Sequence, residues 1–295
     1  MVLIDTLRFI LGHPLNKHNK LESLLRFARW QFGSRLFPGD VAIPFVNNFR
    51  LLVRPGMTGA TGNLYCGLHE FEDMAFVLHF LRDTDVFVDI GANIGSYTVL
   101  ASGAVGANTI AIEPIPSTYQ HLIDNVNINN IGDKVSPLNI GLGSHVGTLN
   151  FSSDQDTVNH VIAKNEKTGS MIEVAVDTLD HIVTNSPPTL IKIDVEGFET
   201  EVFAGAADTL SNSTLRGIIV ELNGSGARYG FDEDALHDLI IRHDFSPVCY
   251  QPFERKLTQA ERRNSLGNTL YVRDFGAAAQ RLETSQPYNV GKHSI

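Results

Sequence analysis

The sequence predicts an α/β protein built on a mostly parallel sheet of seven strands, with helices on both faces. Short apolar runs, typical of strands buried on both faces, alternate with segments of helical periodicity. Several of these runs end in an acidic residue, and a glycine turn follows the first of them. At 295 residues and 43% hydrophobic composition, the chain can bury a full core.

The N-terminal region, residues 1–69, is predicted to be an extension that acts as a cap or an oligomerisation element. It combines a helical segment up to about residue 36 with short strands near 41–54. Between Lys17 and Arg35 the apolar residues recur at helical spacing, which predicts an amphipathic helix. We expect this helix to pack on the domain or on a second copy in a homodimer. Weak association with a membrane surface is the alternative.

The central domain, residues 70–275, is predicted from alternating strands and helices, which indicate a parallel sheet. A helix from Glu70 to about Leu81 leads into it. The predicted strands are 86–90, 108–112, 135–140, 189–193, 217–222, 246–251 and 268–273, and the helices between them are 95–103, 117–129, 198–210 and 232–243. An inserted hairpin and loop are expected at about 141–176. Residues 276–295 are predicted to form a short helix that frays into a flexible tail.

The glycine turn after the first core strand predicts a site for a nucleoside cofactor. Asp89 lies near the end of the apolar run, and Gly91 and Gly95 allow the backbone to turn and approach a ligand. A dinucleotide fingerprint needs glycine where this chain has Asn93, and a Walker motif needs a Gly-Lys-Ser/Thr that does not follow this turn. The turn is therefore Rossmann-like, but NAD and a P-loop nucleotide are disfavoured.

A second acidic residue, Glu113, ends the next apolar strand eighteen positions after Gly95. This is close to the separation of about 20 residues at which the acidic residue of a Rossmann-type fold meets the cofactor ribose. A cofactor with a free ribose diol is therefore indicated.

The turn and the glutamate resemble those of a known enzyme class. They are similar to the D-x-G-x-N-x-G turn and the ribose-binding glutamate of class I S-adenosylmethionine-dependent methyltransferases, through Asp89, Gly91, Asn93, Gly95 and Glu113. The resemblance implies S-adenosyl-L-methionine as the cofactor and a class I strand order whose last strand is antiparallel.

Three further segments narrow the resemblance to one family. They are LIKIDVEG at 190–197, GLHE at 67–70 and TVNHV at 157–161. The series is similar to the FkbM family of methyltransferases, which mostly methylate hydroxyl groups of sugars and natural products. Over about residues 63–224 it implies an O-methyltransferase for a sugar, a polysaccharide precursor or a secondary metabolite. An NAD-dependent oxidoreductase and a non-catalytic cofactor-binding protein are the alternatives.

The resemblance also implies which residues hold the cofactor. Asp89 would accept a hydrogen bond from the cofactor amino group, and Glu113 would bind the ribose. The predicted cofactor residues are Asp89, Gly91, Asn93, Gly95, Ser96, Glu113, Pro114, Asp133 and Gly141.

For methyl transfer to a hydroxyl, the chain offers a histidine and two carboxylates as catalytic candidates. A base must lie near the acceptor oxygen, and His160 in the insert is the first candidate because imidazole titrates near neutral pH. Asp194 would orient the acceptor or the base, and Glu196 would bind an acceptor hydroxyl. A solvated His160, and helix capping by the two acids, are the structural alternatives. The predicted acceptor-binding residues are Glu70, Asn159, Glu221 and Asn223, and no metal site is predicted.

The net charge and the number of cysteines indicate which partners and which cellular compartment to expect. A formal net charge of −10 disfavours nucleic acid, whose binding needs basic surface, so the expected partner is a small-molecule or glycan acceptor. Two cysteines, Cys66 and Cys249, are too few for a disulfide framework, which fits a cytoplasmic protein. The apolar N-terminal stretch is interrupted by Asp5 and Arg8 and is too short to span a bilayer.

Overall fold

The structure, a computed structural model, describes residues 2–36, 39–153, 159–163, 166 and 169–295. The N-terminal extension contains helices and two paired strands, and a further helix leads into the central domain. These are α1 (Val2–Gly12), a 3-10 turn (Pro14–Asn16), α2 (Lys20–Leu36), β1 (Val41–Pro44), β2 (Arg50–Val53), α3 (Thr58–Cys66) and α4 (Phe71–Phe80). The predicted helix, short strands and leading helix are therefore present, whereas α3 was not predicted, because two glycines lower its helical propensity.

Strand and helix units follow up to an inserted sheet. They are β3 (Val86–Ile90), α5 (Ser96–Thr98) with a π-helical continuation (Val99–Val105), β4 (Asn108–Ile112), α6 (Pro116–Ile128) and β5 (Val135–Leu138). The insert contains β6 (Gly141–Leu142), β7 (Gly147–Ser152) and β8 (Met171–Asp177). These strands form a separate sheet in which β8 lies between β6 and β7. The predicted hairpin corresponds to β7 and β8, and β6 is a third strand beside it.

The remaining elements complete the main sheet and end in a small hairpin. They are α7 (Leu179–Ile182), β9 (Leu190–Ile193), α8 (Glu199–Ala204), α9 (Ala207–Ser211), β10 (Gly217–Glu221), α10 (Glu233–Arg242), β11 (Ser246–Gln251), β12 (Lys256–Gln259), β13 (Asn268–Val272), α11 (Phe275–Glu283), β14 (Asn289–Val290) and β15 (His293–Ser294).

The main sheet has the order β12-β11-β13-β10-β9-β3-β4-β5. Strands β10, β9, β3, β4 and β5 are parallel, and β13 runs antiparallel between β10 and β11. The α/β fold class and the antiparallel last strand are thus confirmed. The chain continues from β3 to β4 on one side, while β9 flanks β3 on the other. The strand order therefore reverses direction at β3, and the carboxyl ends of β3 and β9 lie side by side at this point. Open α/β sheets bind ligands at such a point.

One strand of the main sheet was missed. Seven strands were predicted, but the described residues form eight, because β12 pairs antiparallel with β11 at the edge of the sheet. The sequence of β12, KLTQ, is short and polar, so no apolar run marks it. Its backbone pairing with β11 determines the strand instead.

The expected flexible tail, residues 276–295, is packed against the rest of the protein in the structure. Tyr288 and Val290 are buried in the main core, and Val290 forms a β-bridge with Val46 of the extension. The Arg255 guanidinium donates hydrogen bonds to four backbone carbonyls between residues 282 and 295. The prediction of fraying was wrong, because isolated buried residues in two-residue strands give no periodic pattern.

Within the described residues, every helix is too short or too polar to cross a bilayer.

We expect the substitution Leu282→Ala in α11 to lower the free energy of unfolding by about 2–5 kcal/mol, because this 0% exposed side chain fills the main core. Leu266→Ala, at a position that is 91% exposed, should change it by less than about 0.5 kcal/mol. Urea unfolding followed by circular dichroism measures both. Equal effects of the two substitutions would mean that α11 does not belong to the core.

Candidate functional site

A cavity of about 280 Å³ opens at the carboxyl ends of the central strands. Its walls come from the β3–α5 turn, the ends of β4, β9 and β10, and helix α3 of the extension. Of the predicted site residues, the cavity brings together Glu70, Gly91, Asn93, Ser96, Glu113, Pro114, Asn159, Asp194, Glu196 and Glu221.

The turn after β3 packs directly against the end of β9. The backbone N–H groups of Gly91 and Ala92 donate to the Ile112 carbonyl at 3.0 and 2.9 Å, which ties the turn to β4. Gly91 has φ +73°, and a Cβ at this position would lie only 1.8 Å from the Asp194 carbonyl oxygen. Glycine is therefore required here both for backbone conformation and for space.

Glu113 joins two loops at the cavity wall. Its carboxylate accepts hydrogen bonds from the backbone N–H groups of Asn93 at 3.0 Å and Ile115 at 2.9 Å. Burial raises the pKa of Glu113 to about 7, although these two hydrogen bonds lower it. Asn139 holds the same loop by donating to the carbonyl oxygens of Glu113 and Pro114. The carboxylate keeps free acceptor capacity, because it has about four lone-pair sites.

The Asp89 side chain is not part of the cavity lining found among the described residues. It is fully buried, and one carboxylate oxygen accepts from the Thr98 hydroxyl at 2.7 Å. The other oxygen has no hydrogen-bond partner within the described ranges. Burial raises the pKa of Asp89, and Lys192 opposes this effect. Asp89 thus joins β3 to helix α5 through Thr98.

Three carboxylates converge at the ends of β9 and β10. Asp194, Glu196 and Glu221 each offer an oxygen within 4.8 Å of the others. Burial, followed by repulsion from Asp194, raises the pKa of Glu196 to about 7 and that of Glu221 to about 8. Such an oxygen cluster could hold a divalent cation or an acceptor hydroxyl, so the absence of a metal stays a prediction.

The chain bends after β9 so that both predicted acids reach the cavity. Glu196 has φ +57° and Gly197 has φ +103°, and this left-handed pair prevents the alternation of a regular strand. The carboxylate of Glu199 accepts hydrogen bonds from the backbone N–H groups of Val195 and Gly197. Glu199 therefore holds the turn, which leaves Asp194 and Glu196 to face the cavity.

Lys192, which the sequence analysis did not single out, is the cation of this acidic site. Its ammonium lies 3.0 Å from the Asp194 carboxylate and 4.9 Å from the centre of the Tyr97 ring. The side chain is buried and lines the cavity. A lysine inside the apolar run LIKI was the available signal, because a charge in a strand buried on both faces needs a partner.

A second hydrogen-bonded group surrounds Glu70. The Tyr97 hydroxyl donates to one Glu70 oxygen at 2.8 Å, and the Asn268 amide donates to the other at 3.0 Å. The same amide donates to Asp73, whose pKa burial raises to about 7. Tyr97 and Asn268 were not predicted as site residues. They lie 27 and 198 positions away from Glu70 in the sequence, so no local pattern indicates their contact with it.

The insert contributes Asn159 to the cavity lining, and the neighbouring His160 is buried beside Glu166. His160 is 2% exposed and is not among the described lining residues, and its Nε2 lies 2.8 Å from a Glu166 carboxylate oxygen. The alternative of a solvated loop histidine is therefore wrong. Thr157 and Val158 of the same motif lie outside the described residues.

Four other predicted residues are not part of the described cavity lining. Gly95 packs against Leu122, and Asp133 is exposed. Gly141 lies against Phe151, which itself lines the cavity. Asn223 is exposed and accepts a hydrogen bond from the Ser225 backbone at 3.0 Å, so it closes a turn.

The sequence model of the Methyltransferase FkbM domain matches residues 89–247, more than half of the chain. The chain belongs to the FkbM methyltransferase family. The matched residues include the β3 turn, Glu113 and the carboxylate cluster, so the family domain supplies most of the cavity.

Relatives of this FkbM domain include hexuronic acid methyltransferase AglP of Haloferax volcanii. It is 31% identical over 156 residues, which is 52% of this chain and 62% of AglP, so the match spans less than two thirds of AglP. Methyltransferase 1 of Beauveria bassiana is 27% identical over 206 residues, covering 60% of this chain and 82% of that protein. A crystal structure of an FkbM methyltransferase from Methylobacillus flagellatus is 19% identical with a TM-score of 0.46, covering 72% of this chain and 52% of that one.

We expect Glu221→Gln to stabilise the protein increasingly as the pH rises. The folded-state pKa of Glu221 is about 8, above its ordinary value of 4.5, so the folded protein binds a proton on this carboxyl more tightly than the unfolded chain does. The stabilisation that this proton gives is complete at low pH and is lost as the pH rises through 8. The difference in Tm between variant and wild type should therefore grow between about pH 5 and about pH 9. Glu261→Gln, at an exposed glutamate, is the control and should show a constant difference. A pH-independent effect of Glu221→Gln would contradict the burial of this charge.

Proposed function

We propose that the protein is an S-adenosylmethionine-dependent O-methyltransferase that acts on a hydroxyl of a sugar, a polysaccharide precursor or a secondary metabolite. One observation carries the proposal. The glycine turn and Glu113 line the same cavity as the carboxylates of Asp194, Glu196 and Glu221. Membership of the FkbM family supports methyl transfer, and the relative named as a hexuronic acid methyltransferase supports a sugar acceptor.

The cofactor would occupy the side of the cavity formed by β3 and β4. Its ribose would bind Glu113, and its methionine end would lie along the turn from Gly91 to Ser96. Among the described residues, five carboxylic acids and one lysine line the cavity, and this excess of acidic groups suits a cationic sulfonium. Pro114 would border the nucleoside. Asp89 would act indirectly, by holding helix α5 through Thr98.

When bound, S-adenosylmethionine would supply the methyl group, and its sulfur would leave as neutral S-adenosylhomocysteine as the carbon–sulfur bond breaks. The acceptor oxygen would have to lie in line behind the methyl carbon, and its hydroxyl proton would pass to a base of the protein. Glu196 and Glu221 fit the role of base, because they line the cavity and have pKa values near neutral pH. Asp194, paired with Lys192, would orient the acceptor.

His160 is the alternative base. Its buried ring, bound to Glu166, lies in the insert next to Asn159, which lines the cavity. We assign no metal to the reaction, because Lys192 already supplies a cation to the carboxylate cluster. Glu70 and Asn159 would contact the acceptor.

Glu113→Gln should abolish or strongly weaken cofactor binding, because a neutral amide accepts weaker hydrogen bonds from the ribose and from the Asn93 N–H group. Calorimetric titration with S-adenosylmethionine, S-adenosylhomocysteine and NAD measures this effect. The wild type should bind the first two in the micromolar range, and Glu261→Gln, a matched change at an exposed site, should bind as the wild type does. Binding of NAD alone would favour an oxidoreductase and overturn the proposal.

The identity of the base can be tested by comparing Glu196→Gln, Glu221→Gln and His160→Gln. Loss of the base should lower kcat by about 10²–10⁴-fold while S-adenosylmethionine still binds. We expect this loss in one or both of the glutamate variants and less than about a tenfold loss for His160→Gln. The assay follows transfer of a labelled methyl group to hexuronic-acid-containing glycans. The reverse pattern would assign the proton transfer to His160.

A further inference from the structure

Helix α2 presents an apolar stripe to the outside of the molecule. Leu21, Leu25, Phe32 and Leu36 are 74%, 46%, 74% and 73% exposed. Their spacings of four, seven and four residues place them on one face of the helix. We call this set the outer stripe.

The opposite face of α2 packs on the protein through Trp30 and Phe27, and it also buries two polar side chains. Ser23, Trp30 and Ser34 are buried there, and both serine hydroxyls donate to carbonyls of their own helix. An ordinary surface helix turns its apolar face inward and its polar face to water. Helix α2 instead exposes an apolar stripe in addition to its packing face, which indicates a partner surface for the outer stripe.

The same region carries a charge opposite to that of the rest of the protein. Residues 2–36 contain six lysines and arginines against two acidic residues, a net charge of +4, whereas the whole chain carries −10. The remaining residues therefore carry −14. Lys20, Arg29 and Arg35 are exposed on α2 itself, beside the outer stripe.

Helix α1, which packs against α2, adds further exposed apolar side chains. Leu3 and Ile4 are more than half exposed, and Phe9 is partly exposed. Arg8 lies among them and is exposed as well. Apolar and basic residues are thus combined over both N-terminal helices, as they are in helices that lie in the interface of a bilayer.

We propose that the outer stripe and its flanking basic residues bind the surface of an anionic lipid bilayer. A second copy joined through the same stripe would bring two regions of charge +4 together, which opposes association. An anionic bilayer instead offers an apolar layer to the leucines and phenylalanine, and negative headgroups to the basic side chains. The charge pattern therefore favours lipid over a homodimer.

Binding in this orientation would bring the bilayer close to the cavity. Helix α2 packs on α3 through Phe27 and Tyr65, whose ring centres are 5.2 Å apart, and Arg26 donates to the Tyr65 carbonyl at 2.8 Å. Thr58 and Asn63 of α3 line the cavity. Helix α3 therefore contacts the lipid-binding helix and also lines the cavity.

Sedimentation with lipid vesicles tests the proposal. The full chain is mixed with vesicles of phosphatidylcholine alone, or with about 30% phosphatidylglycerol, at low salt and at about 0.5 M NaCl. We expect binding only to the anionic vesicles, weakened by salt. Substituting serine for all four outer-stripe residues should weaken it by about tenfold or more, and Lys20→Glu with Arg29→Glu should do the same.

The matched control is a double variant, Val146→Ser with Leu266→Ser, which removes exposed apolar side chains elsewhere and should bind as the wild type does. An unchanged Tm shows that each variant is folded. Failure of the wild type to bind anionic vesicles, or equal binding by the stripe variant, would overturn the proposal. The proposal would also be overturned if the wild type formed a dimer but bound no vesicles, and if the stripe variant were a monomer. The outer stripe would then bind a second copy of the chain.

Discussion

The contact between the β3 turn and the end of β9 is the constraint on which the rest of the site depends. Because Gly91 has no side chain, its backbone packs against the Asp194 carbonyl, where a Cβ would lie at 1.8 Å. This approach places the turn that resembles a cofactor loop beside the strand that carries the carboxylates. Parallel strands bring their carboxyl ends to one edge of the sheet, and the reversal between β3 and β9 opens the cavity there.

The second constraint is the burial of many acidic groups around one cation. Burial raises the pKa values of Glu113, Glu196 and Glu221 toward neutral pH, while Lys192 pairs with Asp194. An arrangement of this kind costs stability, because carboxylates are desolvated without full pairing. It also supplies groups that exchange protons near neutral pH, as the proposed transfer to a hydroxyl would require. The site thus combines an ion pair that fixes geometry with carboxylates that can take up a proton.

Much of the fold and half of the site could be predicted because they depend on local patterns. Apolar runs located the seven core strands, and the acids at their ends included Glu113, Asp194, Glu196 and Glu221. The orientation of Asp89 could not be predicted, because a strand buried on both faces gives no sign of which face a residue occupies. Contacts such as Asn268 with Glu70, and the burial of the C-terminal segment, depend on tertiary packing and leave no periodic signal.

A crystal structure of the protein with S-adenosylhomocysteine tests the central claim most directly. The claim is that one cavity holds the cofactor against Glu113 and directs its sulfur toward the carboxylates at the ends of β9 and β10. We expect the ribose hydroxyls within hydrogen-bonding distance of Glu113, and the sulfur facing Asp194, Glu196 and Glu221. A ligand bound outside this cavity, or one whose sulfur faces away from these carboxylates, would contradict the claim.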